Sequence, residues 1–560
     1  MKSGRLYFTF VWSLVCFFSS AQPPQSRPNI ILIIGDDMRY DSFEPNGGPA
    51  WFDSPAINRI ADEGANFKDY FCVYSLCTPG RGAMLTGLYP HGNGAIDNNS
   101  PYYSYLPTIA NILDSTGYHT AMIGKYHAYF KPQPGWDYWM ARSKLGGSYM
   151  DLEFNINGES KIIEGHVTQI IGDSSVKIIS TIDTPFLVMI GHQAPHQPAL
   201  PLPEDSGIYG NEEMPVPSLA KYNKNYPSYL YEEAPLLTEE NLAMSIQAYF
   251  ECVKDIDGNI ADIFNTLEER GILDNTILIF TADNGMMNGE HYLNGKGFPY
   301  EPSIRLPMFI RYPGWFAPNT VVDVPIGLNV DVAPTILDAA GIDQEPYHFH
   351  GLSLHKLATG ELSRSRMMYE NIKLADESGD SGKPSIRSIR SKYYKYNWYR
   401  CSEQTEEFFD LIKDPDESKN LILDPEYAAL IVTYRHTLDS LRSALHDTLA
   451  ADSVVKPCHL VKGREIKGMY VVDNPIPLLD LGTNPFIDRL IVNFMVASPE
   501  PVQINIYNAL GQVLISNRLK NVNEGTLSST VFDTKNLPGG IYLVEIIQGV
   551  NRRCEFAIRE

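Results

Sequence analysis

The chain has 560 residues, a length that corresponds to about three or four domains at roughly 100–200 residues each. Hydrophobic residues make up 44% and charged residues 20% of the chain, with 33 tyrosines and 24 phenylalanines, so the composition is that of a globular protein with a large core and excludes a disordered chain. The 45 basic and 67 acidic side chains give a formal net charge of −22, which disfavours nucleic acid and anionic membranes as partners and requires a local site for any anionic substrate.

The N-terminal segment has the layout of a secretory signal peptide. Lys2 and Arg5 form a basic region, residues 6–18 form an apolar run, and the small residues 19–21 form the exit. A membrane anchor is the alternative, but this run is shorter than the about 20 residues that span a bilayer. No later segment is long and apolar enough to span one. We therefore expect residues 1–21 to be removed and the mature protein to be exported, soluble or attached to the cell surface.

The cysteines allow disulfides but do not define them. Seven cysteines occur, and six remain once Cys16 leaves with the signal. Cys401 and Cys458 lie in one late segment, which makes them one candidate pair in an oxidising compartment. Connectivity cannot be derived from the spacing alone.

Between the two ends, apolar runs alternate with amphipathic helices, which predicts an α/β fold with a parallel sheet covered on both faces. Four runs are followed directly by polar residues. The runs are residues 30–34, 120–123, 186–190 and 276–280, and the polar groups after them are Asp36-Asp37, Lys125-Tyr126-His127, a loop that reaches His196, and Asp283-Asn284. Because ligand sites of such sheets form outside the carboxyl ends of the strands, we expect these groups to meet.

One helix of the covering layer is predicted from Glu239 to Arg270. Thr238 is its candidate N-cap and Gly271 its stop. Its apolar residues recur at spacings of three and four, which is typical of a core-facing stripe rather than of a cofactor site.

The carboxylates after the strands point to a metal. Asp36 and Asp37 are neighbours, and with Asp283 beside them they would repel each other strongly without a counter-ion. Aspartate and asparagine oxygens favour Ca²⁺ or Mg²⁺ over zinc or copper. An Asp-Asp pair alone is more often an ordinary polar loop, but the second pair, Asp283-Asn284, shifts the balance towards a metal site.

Residues 77–87, Cys-Thr-Pro-Gly-Arg-Gly-Ala-Met-Leu-Thr-Gly, form the most informative segment. Pro79 fits the first turn of a helix and places Cys77 just before its N-terminus, where backbone N–H groups and the helix dipole favour an anion. Arg81, one turn away, adds a guanidinium that binds oxyanions through two hydrogen bonds. From these residues alone, Cys77 is either a thiolate nucleophile or half of a disulfide.

Cys-x-Pro-x-Arg at 77–81, followed by Leu-Thr-Gly, resembles the signature of the type I sulfatases of the alkaline-phosphatase-like superfamily. Further blocks match the family in order over most of residues 28–420. These blocks are Pro28-Asn29 with Gly35-Asp36-Asp37, Gly124-Lys125-Tyr126-His127, Ala194-Pro195-His196-Gln197-Pro198, and Asp283-Asn284-Gly285 with Gly289-Glu290-His291 and Lys296. Gly80 departs from the family, most of whose members have Ser or a similar small residue there.

The resemblance implies an alkaline-phosphatase-like fold, with a mostly parallel sheet sandwiched by helices and then a smaller α+β C-terminal subdomain. In this family the cysteine is converted to formylglycine, so a formylglycine-generating enzyme or an anaerobic sulfatase-maturing enzyme is implied as a partner. The implied ligands of one Ca²⁺ ion are Asp36, Asp37, Asp283, Asn284 and the modified Cys77.

The resemblance also implies the roles of the other site residues. One hydroxyl of the formylglycine hydrate attacks sulfur while Arg81, Lys125, Lys296 and the metal balance charge. His196, or Lys296 near it, assists the leaving alcohol, and His127 takes a proton from the second hydroxyl. His291 is a candidate substrate contact, as is His192. Taken singly, each histidine would be structural and each lysine a surface residue; within the matching blocks the functional interpretation is favoured.

The chain changes character after about residue 480, where short alternating apolar runs at 490–494 and 502–507 predict a small all-β module. Asn484-Pro-Phe486, residues 506–512 and residues 537–542 resemble the C-terminal sorting domain of the type IX (Por) secretion system of Bacteroidetes. A β-sandwich module that binds carbohydrate is the alternative.

The predicted order is a signal peptide (1–21), a catalytic α/β domain (22–365), its C-terminal subdomain (366–470), a linker (471–482) and the β-rich sorting domain (483–560). Within the subdomain, a β-rich run at 386–399, a further run at 408–412 and a helix at about 425–449 are expected. The sorting domain implies the type IX secretion machinery as a partner and a secreted or surface-attached location.

The implied function is hydrolysis of O-sulfate esters on a polysaccharide or its oligosaccharides, either algal (ulvan, carrageenan) or a glycosaminoglycan. The first alternative is a phosphonate or phosphate ester hydrolase of the same superfamily. The second is a surface glycan-binding protein whose catalytic centre has decayed; the presence of Cys77, Arg81 and the carboxylates argues against it.

Overall fold

A computed structural model describes most of the chain. The described residues are 27–144, 149–183, 185–217, 238–323, 325–372, 385–399, 406–447, 479–480, 488–495, 501–507, 513–520, 527–538, 540–548 and 551–559. The chain divides into two compact units, Met1–Val461 and Lys462–Glu560. The predicted signal peptide, Cys401, Cys458 and most of the predicted linker lie outside the described residues, and the domain boundaries stay predictions.

Long apolar runs form the strands of the first unit. In chain order these are β1 (Asn29–Gly35), β2 (Ala65–Phe67), β3 (Tyr70–Phe71), β4 (His119–Gly124), β5 (Tyr138–Arg142), β6 (Met150–Ile156), β7 (Glu159–His166), β8 (Phe186–Gly191), β9 (Thr276–Ala282), β10 (Met287–Asn288), β11 (Asn294–Gly295), β12 (Met308–Arg311), β13 (Thr320–Val322) and β14 (Gly327–Leu328). The four predicted strands are confirmed as β1, β4, β8 and β9.

Ten strands build one sheet in the order β13-β2-β12-β9-β1-β8-β4-β5-β6-β7. The five strands from β9 to β5 run parallel, whereas β12, β6 and β7 are antiparallel to their neighbours. Every residue of β1, β8 and β9 is buried, as expected of strands covered on both faces. The predicted mostly parallel α/β sheet is confirmed.

Helices cover the sheet and connect its strands. They are α1 (Pro55–Asp62), α2 (Cys77–Thr86), α3 (Pro90–Asn93), α4 (Ile109–Ser115), α5 (Val167–Thr181), α6 (Glu239–Glu269), α7 (Glu301–Ile304), α8 (Val332–Ala339), α9 (Leu354–Ala358) and α10 (Ala428–Ala444). The N-cap predicted for α6 is confirmed, because the Thr238 hydroxyl accepts a hydrogen bond from the Asn241 N–H at 3.2 Å. Gly271 has a φ of +65°, which ends the helix as predicted.

The register of the central strands aligns their carboxyl ends at one edge of the sheet. Gly35 of β1 is paired with Ala282 of β9, and Gly124 of β4 with Gly191 of β8. The polar segments that follow these four strands therefore leave the sheet at one edge, which is the arrangement that the sequence predicts.

The predicted subdomain consists of an antiparallel sheet and α10. Its strands are β15 (Arg366–Asn371), β16 (Ile386–Ser391), β17 (Tyr394–Tyr399) and β18 (Glu406–Asp410), in that order across the sheet. The helix predicted at 425–449 is shorter than expected. A 3-10 turn occupies Pro425–Tyr427, and the α-helix ends at Ala444, after which the chain turns so that the Leu445 carbonyl contacts the His91 ring.

The second unit is all-β in its described part, as predicted. Its strands are β19 (Leu479–Asp480), β20 (Arg489–Met495), β21 (Val502–Tyr507), β22 (Val513–Leu519), β23 (Leu527–Asp533), β24 (Gly540–Gln548) and β25 (Asn551–Arg559). They form two antiparallel sheets, β19-β20-β23 and β22-β21-β24-β25. This unit has a hydrophobic core of its own, which includes Leu490, Ile504 and Val544.

In the part of the chain that the structure describes, no helix has the length and apolarity needed to cross a lipid bilayer.

Candidate active site

Two acidic loops meet at the carboxyl ends of β1 and β9. Asp36 and Asp37 follow β1, and Asp283 and Asn284 follow β9; all four are buried. The Asp37 N–H lies 3.3 Å from Asp283 Oδ1, and the Asn284 amide donates to Asp37 Oδ1 at 2.6 Å. Asp37 adopts a φ of +66°, a conformation that costs a non-glycine residue free energy and is common at functional sites. The structure therefore brings the predicted acidic residues into one cluster.

Cys77 approaches this cluster from the N-terminus of α2. The helix begins at Cys77 itself rather than after it, with Leu76 as the extended N-cap. The Cys77 thiol donates to Asp36 Oδ1 at 3.2 Å. Burial and the neighbouring Asp36 carboxylate raise the pKa of this thiol far above its usual value. The unmodified side chain is therefore a neutral thiol, which disfavours the interpretation of Cys77 as a simple thiolate nucleophile.

The disulfide interpretation of Cys77 finds no support in the described residues, among which Cys72, Cys77 and Cys252 are buried free thiols.

Arg81 connects α2, the helix that begins at Cys77, to Asp283 and to Lys125. Its side chain is 0% exposed, and Nε donates to Asp283 Oδ2 at 2.8 Å. Nη1 donates to the Lys125 carbonyl, while Nη2 is buried and has no partner among the described residues. Because a buried guanidinium donor without an acceptor is costly, Nη2 is suited to an oxyanion that enters the site.

Two lysines complete the charge of the site. Lys125 Nζ contacts Asp36 Oδ2 and lies 3.8 Å from Cys77 Sγ. Lys296 Nζ contacts Asp37 Oδ1 and lies 2.8 Å from Cys77 Sγ. Burial opposes the charge of Lys296, but Asp37 and the other acidic groups around it together outweigh burial and raise the pKa of this lysine well above its usual value.

The formal charges of the cluster balance. Three carboxylates, of Asp36, Asp37 and Asp283, face three cations, of Arg81, Lys125 and Lys296. A bound divalent cation would make this site positive although the whole chain has a formal net charge of −22. An anionic substrate is attracted to such a local positive field.

The donor set fits a hard divalent cation. One ligand atom each from Asp36, Asp37, Cys77 and Asp283 lie within 4.8 Å of one another, and all four residues are buried. Asn284 Oδ1 is a further buried oxygen with no partner in the described part of the chain. Burial alone would raise the pKa of Asp36, but Lys125 and the other nearby cations hold it well below its usual range, so this ligand is ionised. Carboxylate and amide oxygens are the donors that Ca²⁺ and Mg²⁺ prefer.

Two predicted catalytic histidines lie beside the cluster. His127, with a φ of +72°, is buried, and its Nδ1 has no partner among the described residues. Burial and the Lys125 ammonium lower the pKa of His127 to about 2, so the ring is neutral. His196 is partly exposed, with Nδ1 2.6 Å from the Gln197 carbonyl and Nε2 3.8 Å from Asp37 Oδ2. Nδ1 therefore holds a proton, and Nε2 faces the cluster.

The structure places the other two candidate histidines in buried positions. The His291 ring is 2% exposed and stacks on Tyr300 with the ring centres 4.0 Å apart. Its role as a substrate contact stays a prediction. His192 is 1% exposed, and burial together with Arg81 lowers its pKa to about 3.

Two residues near the site were missed by the sequence reasoning. Arg142 ends β5, donates to Gln193 Oε1 and interacts electrostatically with Asp36. Like Lys125, Arg142 lies at the carboxyl end of a parallel strand, where ligand sites of such sheets form. The same reasoning could therefore have identified Arg142 from the sequence. Asn98 accepts a hydrogen bond from the Thr78 N–H at 3.1 Å and lies in a loop with no recognisable pattern.

Comparisons with known proteins agree with this geometry. The Sulfatase family model matches residues 28–342, the model of the C-terminal region of N-sulphoglucosamine sulphohydrolase matches residues 289–444, and the model of the secretion system C-terminal sorting domain matches residues 484–556. An N-acetylglucosamine-6-O-sulfatase of Bacteroides thetaiotaomicron is 28% identical over 506 residues, which cover 76% of this chain and 89% of that protein.

Solved structures show the same fold. A protein solved in complex with its substrate D-glucosamine-2-N,6-O-disulfate has a TM-score of 0.69 and 28% identity, and the match covers 78% of this chain and 100% of that one. A phosphonate monoester hydrolase of Agrobacterium radiobacter has a TM-score of 0.63 and 22% identity, over 75% of this chain and 96% of that one. The second likeness concerns the fold alone.

Proposed function

The chain belongs to the sulfatase family, and we propose that it is an exported sulfatase that hydrolyses O-sulfate esters of a sulfated polysaccharide or its oligosaccharides. Its class, sulfuric ester hydrolase, follows from the family. The observation on which the proposal rests is the buried cluster of Asp36, Asp37, Cys77 and Asp283 at the N-terminus of α2.

Two findings support a glycan as substrate. The related Bacteroides protein is named for a sulfated amino sugar, and the similar solved structure holds one. The sorting domain matched at residues 484–556 implies export, which favours an extracellular glycan over an intracellular small molecule. Ulvan, carrageenan and glycosaminoglycans are therefore the substrates to compare.

Cys77 provides the position of the nucleophile. If Cys77 is converted to formylglycine by a formylglycine-generating or anaerobic sulfatase-maturing enzyme, the hydrated aldehyde would supply one hydroxyl for attack on sulfur and a second whose deprotonation would allow sulfate to be expelled. In the structure the Cys77 Sγ atom marks the position of the reacting group, 3.2 Å from Asp36 Oδ1 and 2.8 Å from Lys296 Nζ. The start of α2 adds the positive end of a helix dipole.

The cations hold the sulfate group. Arg81 Nη2, buried and without a partner in the described residues, donates to one sulfate oxygen. Lys125 and Lys296, both within 3.8 Å of Cys77 Sγ, neutralise the charge that develops as the ester bond breaks. A Ca²⁺ ion held by Asp36, Asp37, Asp283, Asn284 and the modified Cys77 would supply further positive charge on the sulfate oxygens.

Two proton transfers complete the reaction. His196 is partly exposed and its Nε2 lies 3.8 Å from Asp37 Oδ2. Since Nδ1 donates to the Gln197 carbonyl, the ring would protonate the departing alcohol of a large substrate from Nε2 in its imidazolium form; Lys296 is the alternative donor. His127 is neutral, because burial and Lys125 lower its pKa to about 2. Its Nδ1, which has no partner among the described residues, would accept the proton whose removal releases sulfate.

A phosphonate or phosphate ester hydrolase is the rival function, since a phosphonate monoester hydrolase shares the fold. A glycan-binding protein without activity is the second rival, but it would not need the buried cations of Arg81 and Lys125, which are costly to bury.

The deciding experiment measures sulfate release by matured protein with Ca²⁺ from ulvan, carrageenan and heparin oligosaccharides, beside phosphate and phosphonate monoesters. We expect release from a sulfated glycan and its loss in Cys77→Ala protein. Cys252→Ala is the matched control, because Cys252 is also a buried free thiol but lies in the middle of α6. A preference for phosphorus esters, with formylglycine confirmed by peptide mass, would overturn the assignment.

A further inference from the structure

The loop of residues 97–107, between α3 and α4, presents two exposed aromatic rings. Tyr103 is 46% and Tyr105 77% exposed, and their rings stack with centres 5.4 Å apart and planes 8° apart. We call this segment the tyrosine loop. Large aromatic side chains exposed side by side leave apolar surface in water, and such patches commonly mark binding sites.

A cavity of about 190 Å³ adjoins Tyr105. Its lining includes Tyr102, Tyr105, Leu106, Pro107, Asn111 and Gln133. None of the described side chains that line it is charged. The cavity combines ring and aliphatic surface with amide and hydroxyl groups, which suits a neutral ligand with one apolar face and polar edges.

Hydrogen bonds fasten the tyrosine loop to both sides of the active site. Asn98 binds Thr78, the residue after Cys77, through its side-chain oxygen at 3.1 Å and its carbonyl at 3.3 Å. The Tyr102 hydroxyl is bonded to the hydroxyl of Tyr126, which lies between Lys125 and His127. The loop is therefore anchored next to the nucleophile and next to the residues that bind sulfate.

The first ring of the pair is held rigidly. The Tyr103 N–H donates to the Asn93 carbonyl at 2.7 Å, and the ring packs over Gly94, where a Cβ atom would lie 2.7 Å from it. Because the contacts with Asn93 and Gly94 restrain Tyr103 and Tyr105 stacks on it, binding a ligand costs little side-chain entropy.

We propose that Tyr103, Tyr105 and the adjoining cavity form a subsite for an uncharged sugar ring of the same glycan chain whose sulfated residue occupies the active site. The inference rests on the proposed function. A pyranose ring has an apolar face of C–H groups that packs on an aromatic ring, and its hydroxyl edge can meet the polar groups of the cavity wall, such as the Ser104 hydroxyl. The subsite selects chains of several sugars over single sulfated sugars.

The test varies the length of the glycan and the presence of an aromatic ring at position 105. Binding of carrageenan oligosaccharides of two, four and six sugars, which contain uncharged rings beside sulfated ones, is measured by calorimetry on Cys77→Ala protein, which cannot turn them over. Heparin oligosaccharides, whose rings almost all carry a charge, are the comparison. We expect affinity to rise with glycan length in protein with the native Tyr105. The same rise is expected in Tyr105→Phe, the matched control, because phenylalanine keeps the aromatic ring. In Tyr105→Ala the longer chains should lose about tenfold in affinity, equivalent to about 1.4 kcal/mol.

The subsite is overturned if Tyr105→Ala shows the same length dependence as Tyr105→Phe, or if no oligosaccharide of any length binds. Sulfate release by matured protein with the native Cys77 is a separate readout. Length-dependent binding that requires the Tyr105 ring, without any sulfate release, would support the subsite and contradict the proposed enzyme activity.

Discussion

At Gly80 the chain lacks the Ser that most sulfatases have between the proline and arginine of the signature, and the structure supplies a physical reason. A Cβ atom built on Gly80 would lie 2.4 Å from the Asp283 carbonyl oxygen, far inside van der Waals contact. The Gly80 carbonyl also accepts a hydrogen bond from the Asn329 side chain at 3.2 Å. The glycine thus lets α2 approach the loop that holds Asp283.

We predict that Gly80→Ala lowers the free energy of unfolding by about 1–3 kcal/mol, as expected for overpacking between backbone segments. It should also reduce sulfate release, because Asp283 and Cys77 would be pushed apart. Urea denaturation followed by fluorescence measures the first effect.

Gly258→Ala is the matched control for this substitution. Gly258 lies on α6, and nothing is within 4 Å of its Cβ position. There the alanine should stabilise the protein by about 0.5–1 kcal/mol through helix propensity. Equal effects of the two substitutions would contradict the argument from the Asp283 contact.

At the scale of elements, one histidine joins three of them. His91 of α3 has Nδ1 2.7 Å from Glu370 Oε2 of β15 and Nε2 2.8 Å from the Leu445 carbonyl beyond α10. Both ring nitrogens face acceptors, which only the protonated imidazole satisfies fully. Burial opposes that charge, but the Glu370 carboxylate, the Leu445 carbonyl and Asp447 together outweigh burial and raise the pKa of His91 above its usual value.

This raised pKa makes the link between α3 and α10 dependent on pH. Because the folded-state pKa lies above the unfolded one, the stabilisation is fully present below the unfolded pKa of about 6.5 and is lost as the pH rises through the folded pKa. We predict that His91→Gln destabilises the protein by about 1–3 kcal/mol below pH 6 and by less at higher pH.

Urea titrations of the native and His91→Gln proteins at several pH values measure this difference. His119→Gln, a substitution at a partly exposed histidine paired with Asp137, should change little at any pH. A His91→Gln deficit that does not vary with pH would show that the ring acts by packing rather than by charge.

At the scale of the whole molecule, the two compact units have separate hydrophobic cores. The described residues of the candidate site all belong to the first unit. We predict that protein ending at Val461 has the same melting temperature for its main transition and the same sulfate release as the full chain, but is not exported through type IX secretion.

Calorimetry and sulfate release on both proteins, with cell fractionation for export, test this prediction. Sulfate release that disappears with residues 462–560, although the melting temperature is kept, would mean that the second unit contributes to substrate binding. Export of the shortened protein would contradict the sorting role.

The sequence by itself determined the features that depend on local pattern. Apolar runs identified β1, β4, β8 and β9. The polar residues after these runs identified the acidic cluster, because the carboxyl ends of parallel strands lie at one edge of the sheet. The signature at residues 77–81 identified the start of α2 and its arginine. Each of these signals lies within a few residues of chain.

Only the tertiary structure decided the features that depend on long-range packing. It placed His291 against Tyr300, paired Arg142 with Gln193 near Asp36, and joined Asn98 to Thr78. It also set the end of α10 and stacked Tyr103 on Tyr105. The burial and charge of these residues depend on segments that are distant in the chain, so a local sequence pattern cannot predict them. Hydrophobic periodicity and the polar residues at strand ends, in contrast, involve consecutive residues and can be recognised in the sequence.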